Sequence, residues 1–158
     1  MINYIKGDIL DITEGIIVQQ VNCMGVMGAG LAKQIRTKWP AVYTQYKNYV
    51  DLSANKRDLL GHVSWLDTER NPKLYIASIF GQYAYGHGAR FTNYPALLEG
   101  LSYIFGMAII DKLPVYIPKG IGCGLAGGEW KFVEDFIRDL DAIQKDPINI
   151  FIVEKEFS

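Results

Sequence analysis

Val21-Asn22-Cys23-Met24-Gly25-Val26-Met27-Gly28-Ala29-Gly30 is the stretch on which the reading of this chain turns. It leaves an apolar run at residues 15–21 and enters a run with helical spacing at Gly30–Lys38. A short apolar run, a glycine-rich turn and a helix together describe a buried strand that delivers the chain to a helix N-terminus. The pattern returns at Pro118-Lys119-Gly120-Ile121-Gly122-Cys123-Gly124-Leu125-Ala126-Gly127-Gly128, between an apolar run at 115–117 and a helical run at Trp130–Ile143. Glycine lacks a Cβ and tolerates φ > 0, so neighbouring amides can turn toward one point. A helix N-terminus adds partial positive charge at the same place. Two such loops suit an anionic ligand with more than one phosphate. The plainer alternative is two tight strand-to-helix turns.

Further strands are expected at Ile2–Lys6, 62–66, 74–80 and 147–153, and further helices at 41–52 and 95–112. The first helical run stops at Trp39-Pro40, because a residue before proline is pushed out of the α region. In the helix after it, Val42, Tyr46 and Tyr49 fall roughly on one face. A turn at Asn71-Pro72 separates two strands. Strands and helices alternate through the second half, which implies crossover connections and a largely parallel sheet covered on both faces. Consecutive strands in the first half make the sheet mixed. Ligands of such sheets sit beyond the carboxyl ends of the strands, where both glycine loops fall. No repeat or linker interrupts the chain, so one domain over residues 1–158 is expected.

The chain's 158 residues are 49% hydrophobic and 21% charged, an ordinary globular composition. A net charge of −1 supplies no global field for nucleic acid. Lys33, Arg36 and Lys38 read as a solvated helix face. No apolar run approaches bilayer length, and the N-terminal residues lack the plan of a signal peptide, so a cytoplasmic protein without a membrane partner is expected. Cys23 and Cys123 are the only cysteines and both lie inside the glycine loops. They read as small packed thiols rather than nucleophiles. With two His beside them they form no metal-ligand pattern, so neither metal nor cofactor is expected.

Neither loop ends in the Gly-Lys-Ser/Thr of a Walker A motif, which argues against ATP or GTP hydrolysis. Gly122-Cys123-Gly124-Leu125-Ala126-Gly127 spells the dinucleotide fingerprint, but too little sheet follows it for a dinucleotide-binding domain. Four segments in order carry a stronger likeness: Lys6-Gly7-Asp8-Ile9, the first loop continued through Leu31-Ala32, Ile117 through Leu125, and Gly128-Glu129-Trp130. In these segments the chain resembles the macrodomain family, which binds ADP-ribose. The resemblance implies a three-layer α/β/α sandwich with a mixed, largely parallel central sheet. It implies that Asp8 accepts from the adenine amino group and that the Ile9 amide reaches a ring nitrogen. It runs Gly28, Ala29, Gly30 and Leu31 along the distal ribose and one phosphate, with Asn22 facing that ribose. It wraps the diphosphate in Gly120, Ile121, Gly122, Cys123, Gly124 and Leu125. From the residues alone, Asp8 also suits a turn after a strand, and Asn22 a loop cap.

Within the family the chain looks nearest to the group of ADP-ribose 1″-phosphate phosphatases and terminal ADP-ribose glycohydrolases. The glycohydrolase pattern places a lysine after the central strand. Here that region reads Ile79-Phe80-Gly81-Gln82-Tyr83-Ala84-Tyr85-Gly86-His87, and Ala126 stands where some members carry Asp. The phosphatase branch matches at Phe80-Gly81, His87-Gly88 and Asn93-Tyr94, although Gln19 stands where that branch tends to carry His. Phosphate release from ADP-ribose 1″-phosphate is therefore the first expectation, with His87 and Asn22 as its catalytic residues. An imidazole between two glycines is suited to moving protons on a mobile loop. Arg90 could neutralise a terminal phosphate or be a solvated charge, and Tyr83 and Tyr85 could stack near the ligand or anchor their loop. The other readings are a hydrolase that removes ADP-ribose from protein or DNA, with ADP-ribosylated macromolecules as partners, and a non-catalytic ADP-ribose reader.

Overall fold

The strand leading into the first glycine loop, β2 (Gly15–Asn22), is apolar on both faces: Ile16 and Val18 point one way, Ile17 and Val21 the other, and all are buried. Such a strand must be covered on both sides. The computed structural model describes residues 1–156; the last two positions of the expected 1–158 unit lie outside the described residues. Around β2 stand β1 (Ile2–Lys6), β3 (Val63–Asp67), β4 (Leu74–Gln82), β5 (Val115–Pro118) and β6 (Ile150–Glu154). They form one six-stranded sheet in the order β1-β6-β5-β2-β4-β3. Among the described residues β3–β4 is the one antiparallel pair of strands. The sheet is therefore mixed and largely parallel, as expected.

Helices α1 (Gly30–Lys38) and α2 (Pro40–Asp51) cover one face. Their apolar residues join Ile17, Val21, Ile76 and Phe80 in one core cluster. Helices α3 (Tyr94–Asp111) and α4 (Trp130–Ile143) cover the other, closing over Ile16, Val18, Ala77 and Ile79. This is the three-layer α/β/α sandwich. Each fully buried Ile, Leu or Phe in these layers contributes about 1.5–3 kcal/mol, which makes the sheet a rigid base for its loops. The Asn93 side chain caps α3 by accepting from the Ala96 amide at 3.0 Å. Gly100 lets α3 approach closely, since a Cβ there would lie 2.3 Å from Ile79 Cγ2.

Three expectations shift in detail. The break at Trp39-Pro40 is real, but Pro40 itself opens α2, the first-turn position where a missing N–H costs nothing. On that helix Val42 and Tyr46 are buried while Tyr49 is 38% exposed. Tyr49 leans on Phe80 and gives its hydroxyl to His62 Nδ1, or takes a proton from it, at 3.0 Å. The last strand begins at Ile150, with 147–149 as its lead-in.

Because β1, β6, β5, β2 and β4 run the same way, their C-terminal ends share one edge of the sheet. The Asp8 turn, both glycine loops and the segment carrying His87 all leave from that edge.

Candidate functional site

A cavity of about 600 Å³ lies over the ends of β5, β2 and β4. Both glycine loops line it, so they share a cleft. Asn22, Gly28, Ala29, Gly30 and Leu31 come to it from the first loop. Gly120, Ile121, Gly122, Gly124 and Leu125 come from the second, and His87 closes one end. Cys123 is turned away, its Sγ donating to Ile121 O at 3.2 Å. Asp8 and Ile9 lie outside the cavity wall, beside β6 at the far edge. Asp8 Oδ1 accepts from the Leu10 amide at 2.9 Å and so caps the 3₁₀ turn Ile9–Asp11, while Ile9 is buried under α1 and α2.

The first loop is organised by Asn22. Its Oδ1 accepts from the Met24 amide at 2.9 Å, and from the Tyr46 hydroxyl at 2.8 Å. Its Nδ2 donates to Val26 O at 2.8 Å. The loop-capping use of this Asn is thus present, on a residue that also borders the cleft. Tyr46, fully buried in α2, accepts in turn from the Gly25 amide at 3.0 Å. Burial raises its hydroxyl pKa well above the ordinary value, so it stays a donor. Ahead of α1 the N-cap residue is Ala29, which offers no side-chain acceptor. The first amides of α1 therefore face the cleft uncapped.

The second loop spends four amides on itself: Ile121 N–H donates to Pro118 O at 3.0 Å, Cys123 N–H to Gly120 O at 2.8 Å, Gly127 N–H to Gly124 O at 3.0 Å and Gly128 N–H to Gly122 O at 2.9 Å. The amides of Gly122, Gly124, Leu125 and Ala126 meet no acceptor among the described residues. Among those residues, too, no carboxylate lines the cavity, and Lys119 is the one lysine or arginine that does. Unspent amides, a helix N-terminus and the absence of carboxylates are the features that suit an anion.

His87 and Arg90 lie on a strap that leaves β4 and returns to α3. Its ends are tied down: Gln82 bridges to Thr92, and the Phe91 and Thr92 amides donate to Ala126 O at 2.7 and 3.1 Å. Its middle, Tyr85 to Arg90, is largely exposed. Behind His87 and Leu125 a second hollow of about 440 Å³ contains Arg90, whose guanidinium lies 4.8 Å above the Tyr94 ring. Tyr83 anchors the strap, accepting from Cys23 N–H at 2.9 Å through its carbonyl, with Arg57 stacked 3.9 Å over its ring. Tyr85 lines the cleft.

Burial pushes the Cys23 and Cys123 thiols up to about 11. They pack on opposite faces of the sheet. Neither is an activated nucleophile. Sequence reasoning passed over Gln20 and Thr92, and placed Tyr46 only on a helix face. The available signal for Gln20 was a second polar side chain beside Gln19 within a strand whose other interior positions are apolar.

No family model matches the chain. A DNA ADP-ribosyl glycohydrolase of Mycobacterium tuberculosis is 43% identical over 47 residues, 30% of this chain but only 13% of that protein's length. An ADP-ribose 1″-phosphate phosphatase of Scheffersomyces stipitis is 24% identical over 178 aligned positions, covering 97% of this chain and all of that one. A Bacteroides thetaiotaomicron protein of unknown function superposes with a TM-score of 0.84 at 28% identity, over 98% of both chains. A macrodomain protein from Streptomyces coelicolor does so with a TM-score of 0.76 at 25% identity, over the whole of both chains. Thermosipho africanus DarTG in complex with ADP-ribose superposes with a TM-score of 0.70 at 21% identity, over 88% of this chain and 38% of that one. Strand order, the three layers and these likenesses agree: this chain is a macrodomain in fold.

Proposed function

We propose that the cleft binds ADP-ribose and that the chain hydrolyses the terminal phosphate of ADP-ribose 1″-phosphate. The observation that carries the reading is the convergence of unspent amides from two separate loops on one carboxylate-free cavity. The order of the strands supports it. Along the shared edge stand Asp8 after β1, the second loop after β5, the first after β2 and His87 after β4. Four strand spacings, about 19 Å, separate the two ends. Adenine at Asp8, diphosphate between the loops, the distal ribose at Asn22 and a terminal group at His87 follow the same order.

Asp8 Oδ1 is occupied by the Leu10 amide, which leaves Oδ2 to accept from the adenine amine. Second-loop amides and the N-terminus of α1 hold the diphosphate. In the hydrolysis, water attacks phosphorus, the bond from phosphorus to the ribose 1″ oxygen breaks, and the proton that the water gives up stays with the released phosphate. His87 protonates that oxygen as it leaves, and Arg90 and the loop amides stabilise the charge gathering on the phosphoryl oxygens. The reading carries with it a cytoplasmic setting, in which both thiols stay reduced.

A second reading, removal of ADP-ribose from DNA or protein, is favoured by the 47-residue likeness to the mycobacterial glycohydrolase. Against it, residues 79–87 contain no lysine. Calorimetry with ADP-ribose tests the binding, and phosphate release from ADP-ribose 1″-phosphate tests the reaction. Release that His87→Ala slows at least a hundredfold, with ADP-ribose affinity retained, supports the roles given. Binding without release, and no release from ADP-ribosylated DNA or protein, reduces the chain to a reader of ADP-ribose.

A further inference from the structure

Gln20 sits in β2 beneath the cleft, and its side-chain amide is the centre of an unbroken relay. Gln82 Nε2 donates to Ala84 O at 2.8 Å, which turns Gln82 Oε1 toward Gln20. Gln20 Nε2 donates both to that Oε1 and to Thr92 Oγ1, each at 2.9 Å. Thr92 Oγ1 donates in turn to Gly122 O at 2.6 Å. The relay thus runs from a carbonyl of the His87 strap to a carbonyl of the second glycine loop. Both ends are backbone acceptors, so the direction of every bond is set and the Gln20 amide has one orientation. Its Oε1 is buried without a partner. A Cβ on Gly81 would lie 2.3 Å from that oxygen and one on Gly122 would lie 2.9 Å from it. A side chain at Gly81 would have to displace the Gln20 amide, while at Gly122 a φ of +71° favours glycine independently.

We propose that Gln20 is the positioning residue of the cleft, a single amide that sets the second glycine loop and the His87 strap relative to one another. It stands in the floor of the cleft, and its hydrogen bonds run sideways to the two loops. It acts by holding Gly122 O through Thr92 and Ala84 O through Gln82, which fixes where the loop amides and the imidazole stand before anything binds. Preorganised donors contribute more to binding than donors that must be ordered on arrival. That the pinned loops serve ADP-ribose rests on the function proposed above; the pin itself does not.

The test is amide hydrogen exchange on the ligand-free protein, with calorimetry alongside. Gln20→Met removes both donors at similar volume. It is expected to speed exchange at least tenfold at 83–91 and 120–128, to leave 22–29 within threefold of its starting rate, and to weaken ADP-ribose about tenfold. Thr92→Val cuts one arm and loosens 120–128 more than the strap. Gly81→Ala displaces the amide from outside the cleft wall and should reproduce Gln20→Met in milder form, which keeps the question answerable if Gln20→Met does not fold. In the wild-type protein the two Gln20 side-chain amide protons should give protected resonances, a signature that a merely space-filling role would not produce. Unchanged exchange at both loops in Gln20→Met, or unprotected side-chain protons, would overturn the proposal. Failure of the wild-type protein to bind ADP-ribose, with both loops loosened in Gln20→Met, removes the functional reading and leaves the pin standing.

Discussion

Gly124→Val separates a binding loop from a turn more cleanly than any other substitution in this cleft. Gly124 borders both hollows, a Cβ built on it meets no atom within 4 Å, and its backbone lies outside the left-handed region. Valine can therefore be accommodated without strain. Its lower unfolded-state entropy returns about 0.4–1 kcal/mol, offset by newly exposed methyl groups, so the unfolding free energy should stay within about 0.5 kcal/mol of wild type. Binding should respond differently. The branched side chain fills the space beside the unspent amides of Gly122, Leu125 and Ala126. Displacing a diphosphate far enough to lose two charge-assisted hydrogen bonds, at about 1.5–3 kcal/mol each, costs about 3–6 kcal/mol. That is a loss of roughly a hundred- to ten-thousand-fold in affinity. Urea unfolding and ADP-ribose calorimetry on the same preparation read both quantities. Gly127→Ala is the contrasting control, since its Cβ would lie 2.5 Å from Ala89 O at a φ of +77°, and it should lower stability outright. A Gly124→Val protein that folds normally and binds ADP-ribose within threefold of wild type would refute the reasoning and make the second loop a turn only.

Asp8→Asn keeps an acceptor for the Leu10 amide but replaces the second carboxylate oxygen with a donor. It should weaken ADP-ribose by about 1–3 kcal/mol with little change in the urea midpoint; unaltered affinity would remove the adenine assignment. Tyr46→Phe strands the Gly25 amide and takes a donor from Asn22, so it should lower stability by about 1–2 kcal/mol. A loss under about 0.3 kcal/mol would show that the first loop does not depend on that hydroxyl. With both thiols pushed up to about 11, Cys23 and Cys123 should resist alkylation at pH 8 in the folded protein and react promptly in urea. The sign follows from the raised values: the fold favours the protonated thiol. That contribution is complete below the ordinary thiol value of 9.0 and is lost as pH climbs through about 11. The thermal midpoint should accordingly fall across that window, and rapid labelling of native protein at pH 8 would contradict the burial argument.

The elements of this fold were legible because their signals are local. Apolar runs, helical spacing, the proline break and two glycine-rich stretches each occupy a few consecutive residues, and the pattern of the 15–21 run demanded cover on both faces. Strand order is a different kind of fact. It depends on which distant segments pair, and only the order β1-β6-β5-β2-β4-β3 brings the loops after β2 and β5 to one cleft and ranks Asp8 and His87 at its two ends. Side-chain commitments belong to the same class. Asn22 could be read either as a ligand contact or as a loop cap, and the choice waited on Tyr46, 24 positions away in the chain. Gln20 carried no reading in the sequence, because its partners Thr92 and Gln82 lie 72 and 62 positions further on. Backbone conformation is set by neighbours in sequence, whereas hydrogen-bond partners are set by neighbours in space, and the second kind assembled this cleft.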